Sequence, residues 1–272
     1  MFSGRQVRSA LLLVTLTAVP AWAQAPLELV VNIPAGRLDV LQAGERIRSY
    51  PVSVGAPRFA TPTGEAVVRR MVWNPSWTPP ESEWARDEKP AAPGWANPMG
   101  RVKMHLFGVY YVHGTPAANE RHLGRPASHG CIRMRNSDVM ELAQLVLRSD
   151  GAPVTDSALQ RLVRNPRATR EIALAGRVRV RIEYRLAEVG ADSVTLHPDV
   201  YGRAGRGYAA RVREELGRAG VDPAPVLAQL QSTRAPIATV RVALGAADAP
   251  LPVRLPEVAM ETQTGPVVSL LQ

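Results

Sequence analysis

The 272-residue chain carries 33 Lys and Arg against 24 Asp and Glu, a formal net charge of +9. A hydrophobic content of 46% excludes a disordered chain. The surplus charge favours an anionic partner surface, but the arginines are scattered among glutamates rather than clustered with aromatics, which argues against nucleic acid. The single cysteine, Cys131, excludes an intramolecular disulfide, so the fold rests on its core.

Arg5 and Arg8 precede an apolar run from Ala10 to Val19, and Ala21-Trp22-Ala23 offers a small-x-small cleavage site. That is the pattern of a secretory signal over residues 1–23, with a mature start at Gln24 and a periplasmic destination. The run is shorter than the roughly 20 apolar residues a membrane span needs, and no later stretch reaches that length. No stable span is expected after cleavage.

From Leu27, "LELVVN", "RLDVLQ" and "RIRSYPVSVG" are β-rich runs broken by Pro34-Ala35-Gly36 and by Gly44, which predicts antiparallel hairpins. "TGEAVVRRMVWNP" predicts one further strand. Residues 74–98 hold Trp77, Trp84 and Trp95 among prolines without periodicity, a long loop whose tryptophans either line a groove or pin the loop down. "MGRVKMHLFGVYYVHGT" returns to strand and ends at His113. Residues 136–150 predict a helix with Asn136 or Ser137 as its cap and Gly151 as its stop. A shorter helix is predicted over 157–164, strands over "GRVRVRIEYRLAEV" and "SVTLHPDVYG", and a helix over 208–219. Beyond Asp222 only "IATVRVAL" reads as strand, and this tail is expected to be dispensable for chemistry, so that a chain ending near Gly220 still folds and cross-links. Many short strands with one firm helix predict a mainly β sandwich.

The lone thiol lies in "RPASHGCIRM". Cysteine attacks carbonyls as its thiolate and needs a base, and His113, His122 and His129 are near in sequence. If 129–133 is extended, His129, Cys131 and Arg133 share one face, which sets a cation suited to a carboxylate beside the thiol. Both cations and imidazoles nearby would lower the thiol pKa. Backbone amides around Cys131 are candidate oxyanion donors. Two alternatives stay open at this point: a zinc site from the three histidines and Cys131, and a buried inert thiol. The zinc reading lacks C-x-x-C or H-E-x-x-H spacing.

"YYVHGT" followed by "RPASHGCIRM" resembles the signature of the L,D-transpeptidase (YkuD-type) catalytic domain family. "NIPAGRLDVLQ", "TPTGEAVV", "NPSWTPP" and "NPMGRVKMHL" are similar to the family's earlier segments, and the resemblance extends over about 27–202. It implies a YkuD-like β-sandwich with a capping helix over residues 24–203, followed by a C-terminal helix and Pro/Ala-rich tail, 204–272, of unknown role. It implies Cys131 as nucleophile, His113 as general base and the Gly114 carbonyl as the group orienting it. Arg133, His129, Ser128 and Tyr111 are implied around the substrate, with no metal or other cofactor. The implied partners are peptidoglycan stem peptides, with a second stem, water or a lipoprotein lysine as acceptor. A non-catalytic wall-binding module is the competing class.

Overall fold

The computed structural model describes residues 25–230, 236 and 238–244; the predicted signal over 1–23 and the tail over 245–272 lie outside the described residues. The three opening runs form β1 (Leu27–Asn32), β2 (Arg37–Gln42) and β3 (Glu45–Pro51), paired antiparallel in chain order. After β4 (Val54–Gly55), the run read as one strand divides into β5 (Gly64–Val67) and β6 (Arg70–Trp73). The division has a cause: Val68 is fully buried and its N–H bonds Val178 O, so the chain passes from one sheet to the other there.

The chain continues through β7 (Val102–Phe107), β8 (Tyr110–Thr115), β9 (Pro126–Ser128) and β10 (Ile132–Arg135). Next come α1 (Asn136–Asp150), α2 (Asp156–Arg164), β11 (Arg170–Ala173), β12 (Arg179–Glu183), β13 (Ala187–Val189) and β14 (Ser193–Leu196). The last described elements are α3 (Tyr208–Arg218), α4 (Pro223–Ala228) and β15 (Val240–Ala243). Two five-stranded sheets, ordered β3-β2-β1-β12-β5 and β10-β8-β7-β6-β11, make the sandwich. The β1–β12 and β8–β10 neighbours are parallel and the others antiparallel.

Alternation along each strand sends one set of side chains inward. Leu29, Val31, Leu38, Val40, Val180 and Ile182 from the first sheet, and Met71, Trp73, Met104, Val112, Ile132 and Met134 from the second, are at most 2% exposed. Each such burial is worth about 1.5–3 kcal/mol. The helix α1 caps this core with Val139, Leu142, Ala143 and Val146, and ends where Gly151 takes a left-handed conformation and donates to Arg148 O. Its start departs from expectation. The N-cap position is Arg135, with no side-chain cap, because Asn136 is engaged elsewhere.

Two described elements beyond Asp222 are packed, which argues against a tail that is dispensable for folding. Val226 of α4 and Val242 of β15 are buried, and β15 pairs with β14 in a second small sheet, β13-β14-β15. Glu215 of α3 accepts the N–H groups of Leu186 and Ala187 at 2.8 Å each, tying that helix to β13. Among the described residues no helix is long and apolar enough to cross a membrane.

Candidate active site

On the parallel pair β8–β10, His113 stands opposite Arg133 and Val112 opposite Ile132. Since Val112 and Ile132 fill the core, His113 and Arg133 project from the other face of the sheet. Cys131 enters β10 two residues before Arg133. The expectation that 129–133 is extended does not hold. Gly130 adopts φ +108, and a Cβ there would lie 2.8 Å from the Tyr110 ring, so the turn requires glycine. His129 therefore leaves the face that strand alternation would give it. Its ring stacks on Trp84 at 4.0 Å and leans on Phe59 at 4.6 Å.

The turn is clasped from inside. Ser128, fully buried, donates to Cys131 O at 2.5 Å and accepts the Gly130 N–H at 3.0 Å. The hydroxyl's one proton and one of its two lone pairs are spent on the turn, and the Gly130 amide is engaged there and not free as an oxyanion donor. From behind, Thr61 Oγ1 donates to Gly130 O at 2.7 Å and accepts from Gly55 N at 2.8 Å. Tyr201 Oη donates to Gly55 O at 2.8 Å and accepts from Thr61 N at 3.1 Å. The phenol thus braces the loop that holds the cysteine turn. Thr61 and Tyr201 carry no local sequence signal for this role, because their partners lie far along the chain.

His113 Nδ1 lies 2.6 Å from Gly114 O. A carbonyl only accepts, so Nδ1 carries the proton and Nε2 keeps a free lone pair. Burial, followed by the nearby Arg133 charge, pushes the imidazole pKa down to about 3. The Gly114 backbone is fixed by close approach: a Cβ there would meet Asn136 Oδ1 at 2.2 Å. Asn136 in turn accepts from Arg101 N at 2.8 Å and donates to Thr115 O at 2.9 Å, locking the end of β8.

The thiol of half-buried Cys131 donates to Val109 O at 3.5 Å rather than to His113. Burial pushes its pKa up, and the Tyr111 N–H and the Arg133 charge oppose that only in part. This corrects the expectation of a lowered thiol pKa. Both partners are uncharged at neutral pH, so the resting site is a thiol beside an imidazole and not an ion pair.

Tyr111 lies on the same face as His113, two residues before it, with its ring edge-on to His105 at 5.3 Å. His122 ends a 3-10 turn, Ala117–His122, outside the strands of the site. Among the described residues no three His, Cys, Asp or Glu side chains group as a metal site. Two tryptophans of the long loop each lie over one polar group. Trp84 covers His129, and Trp95 lies 4.5 Å from the buried Arg101, which no carboxylate among the described residues neutralises. Arg101 instead donates to Asn74 Oδ1 at 2.7 Å and to the Leu162 and Val163 carbonyls at 2.9 Å, at the negative end of α2.

A β-sandwich that presents one thiol and one uncharged imidazole on neighbouring strands has the parts of a cysteine–histidine acyl-transfer site. Residues 26–159 match the family model of the L,D-transpeptidase catalytic domain, YkuD, and that segment is supported as a domain of this family. A putative L,D-transpeptidase of Fuscovulum blasticum is 41% identical over 101 residues, which cover 36% of this chain and 52% of that protein. The putative L,D-transpeptidase YkuD of Bacillus subtilis is 32% identical over 121 residues, covering 44% of this chain and 61% of the relative. The chain thus spans little more than half the length of these relatives. An L,D-transpeptidase from Mycobacterium smegmatis aligns over 58% of this chain and 59% of that one, at 21% identity and a TM-score of 0.35.

Proposed function

We propose that the protein is a cysteine-dependent L,D-transpeptidase that transfers an acyl group between peptidoglycan stem peptides. The observation that carries this reading is the His113 Nδ1–Gly114 O bond, which leaves Nε2 unprotonated on the strand next to Cys131. When a stem peptide binds, the Cys131 thiol turns from Val109 O toward His113 and gives its proton to Nε2. The sulfur adds to the carbonyl at the L-centre of diaminopimelate, and the amide N–H of Cys131 is the donor proposed for the oxyanion. Collapse breaks the C–N bond, His113 returns the proton to the departing D-alanine amine, and a thioester remains. An amine of a second stem adds to the thioester, forms the 3→3 amide and regenerates the thiol. Water as acceptor would give an L,D-carboxypeptidase, and a lipoprotein lysine would give anchoring.

Arg133 is half-buried and forms no ion pair among the described residues, which suits it to a substrate carboxylate. Tyr111 and His129 border the site in this reading. The signal-like residues 1–23 support action in the periplasm after cleavage at Ala23. Incubation of the purified protein with tetrapeptide muropeptides, followed by mass spectrometry, tests the proposal. A dimer lighter than two donors by one D-alanine supports transpeptidation. A donor that loses only D-alanine indicates hydrolysis, and an unchanged donor indicates a binding module.

A further inference from the structure

Lys103 stands opposite His113 on the β7–β8 pair, as Arg133 does on the β8–β10 pair. Directly opposed residues share a face, so Lys103, His113 and Arg133 form one row across three strands. The two cations are half-buried, and neither has an ion pair or a side-chain hydrogen bond among the described residues. Lys103 Nζ rests 5.5 Å from the Tyr111 ring centroid. Beside Lys103 on this face lie His105, Arg70 and Glu171, and beside Arg133 lies Arg135, which is already paired with Glu120 and Asp138. Glu171 is 3.8 Å from Arg70, so that carboxylate is already engaged. Burial first, and the Arg70 charge second, lower the Lys103 pKa, as expected for a cation without a counter-charge.

We propose that Lys103 and Arg133 form a two-point clamp for one acyl-donor peptide, holding a carboxylate on each side of His113. The inference rests on the acyl-transfer reading above and adds a substrate requirement to it. Two strand spacings separate the positions by about 10 Å at the backbone. A peptide attacked beside Cys131 offers its terminal carboxylate to Arg133. The second anion must then lie several bonds beyond the scissile carbonyl on the opposite side. A free carboxylate at the far end of a diaminopimelate side chain meets that requirement, and an amidated one does not. Lys103 would thus select donors by the charge state of that side chain.

The test uses two tetrapeptide donors that differ only in whether this side-chain carboxylate is free or amidated. D-alanine release is measured with the wild-type and Lys103→Gln proteins. Lys103→Gln is expected to raise KM for the free-carboxylate donor about tenfold while kcat stays within about twofold. Amidation should raise the wild-type KM to the same extent, and the variant should lose nothing further on the amidated donor. Lys103→Arg should retain most of the discrimination. Equal KM values for the two donors with wild-type protein would overturn the clamp, as would a kcat loss in the variant that is the same for both donors. Calorimetric binding of both donors to Cys131→Ala, with and without Lys103→Gln, repeats the comparison without chemistry. A protein that binds with this selectivity but releases no D-alanine would sink the acyl-transfer reading and leave the clamp standing.

Discussion

His113 is held by the residue that follows it: Nδ1 donates to Gly114 O at 2.6 Å, so the tautomer is set by backbone and not by a carboxylate. Among the described residues no acid stands behind the imidazole to stabilise a positive charge, and Arg133 opposes one. The site favours a base that accepts a proton briefly during attack and returns it.

Removal of either partner should therefore stop turnover. His113→Ala and Cys131→Ala are each expected to lower kcat by about a thousandfold or more, and the double variant should be little worse than either single one. Circular dichroism and melting curves would check that the fold persists. Near-normal activity of His113→Ala alongside an inactive His129→Ala would move the base to His129.

The buried neutral imidazole makes stability depend on pH. An unfolded His113 takes up a proton below about 6.5, whereas the folded one stays neutral down to about 3. The unfolded state thus binds more protons in that window, and stability falls as pH falls through it, by on the order of 1 kcal/mol per pH unit. Denaturant titrations of wild type and His113→Gln between pH 7 and pH 4 should diverge, with the Gln variant flatter. Parallel curves would mean that the folded imidazole titrates normally.

Cys131 should discriminate between small electrophiles and acylating ligands. With its pKa raised by burial, the thiol should alkylate with iodoacetamide at pH 7 more slowly than a free cysteine. The family resemblance implies that a carbapenem acylates it, since the ligand can recruit His113 and present a carboxylate to Arg133. Mass spectrometry should find one drug mass on the peptide holding Cys131, absent from Cys131→Ala. Alkylation faster than free cysteine would instead indicate a standing thiolate.

The C-terminal elements should matter for folding and for the cysteine turn. A chain ending at Gly220 loses α4 and β15 and with them the buried Val226 and Val242, at about 2 kcal/mol or more for each side chain. Its melting temperature should fall by many degrees. Tyr201→Phe removes one donor and one acceptor from the brace on Gly55 and Thr61. A loss of about 1–2 kcal/mol in stability is expected, together with a reduced kcat. An unaltered kcat in Tyr201→Phe would show that the brace does not reach the thiol.

What could be read from the residues was local. The span of α1, the hairpins of β1–β3 and the pairing of a histidine strand with a cysteine turn depend on periodicity, turn residues and a short signature. The corrections came where distant residues meet. Asn136 looked like a helix cap by position, yet its amide is spent between Arg101 and Thr115. Burial of Cys131 outweighs a nearby arginine, and burial cannot be seen in a ten-residue stretch. The division of "TGEAVVRRMVWNP" between two sheets depends on Val68 meeting Val178, more than a hundred residues away in the chain.

The parallel pairing of β1 with β12 joins Glu28 to Arg179 and sets β12 between β1 and β5, beyond the family-matched segment that ends at residue 159. A ribosome would have to release most of the chain before the first sheet could close. Until then β1–β3 is a hairpin stack with an open edge, and β5 has no neighbour in its own sheet. Such late, non-local closure predicts slow folding of high contact order, with a long-lived unfolded chain. The segment that defines the family is therefore not a separable folding unit.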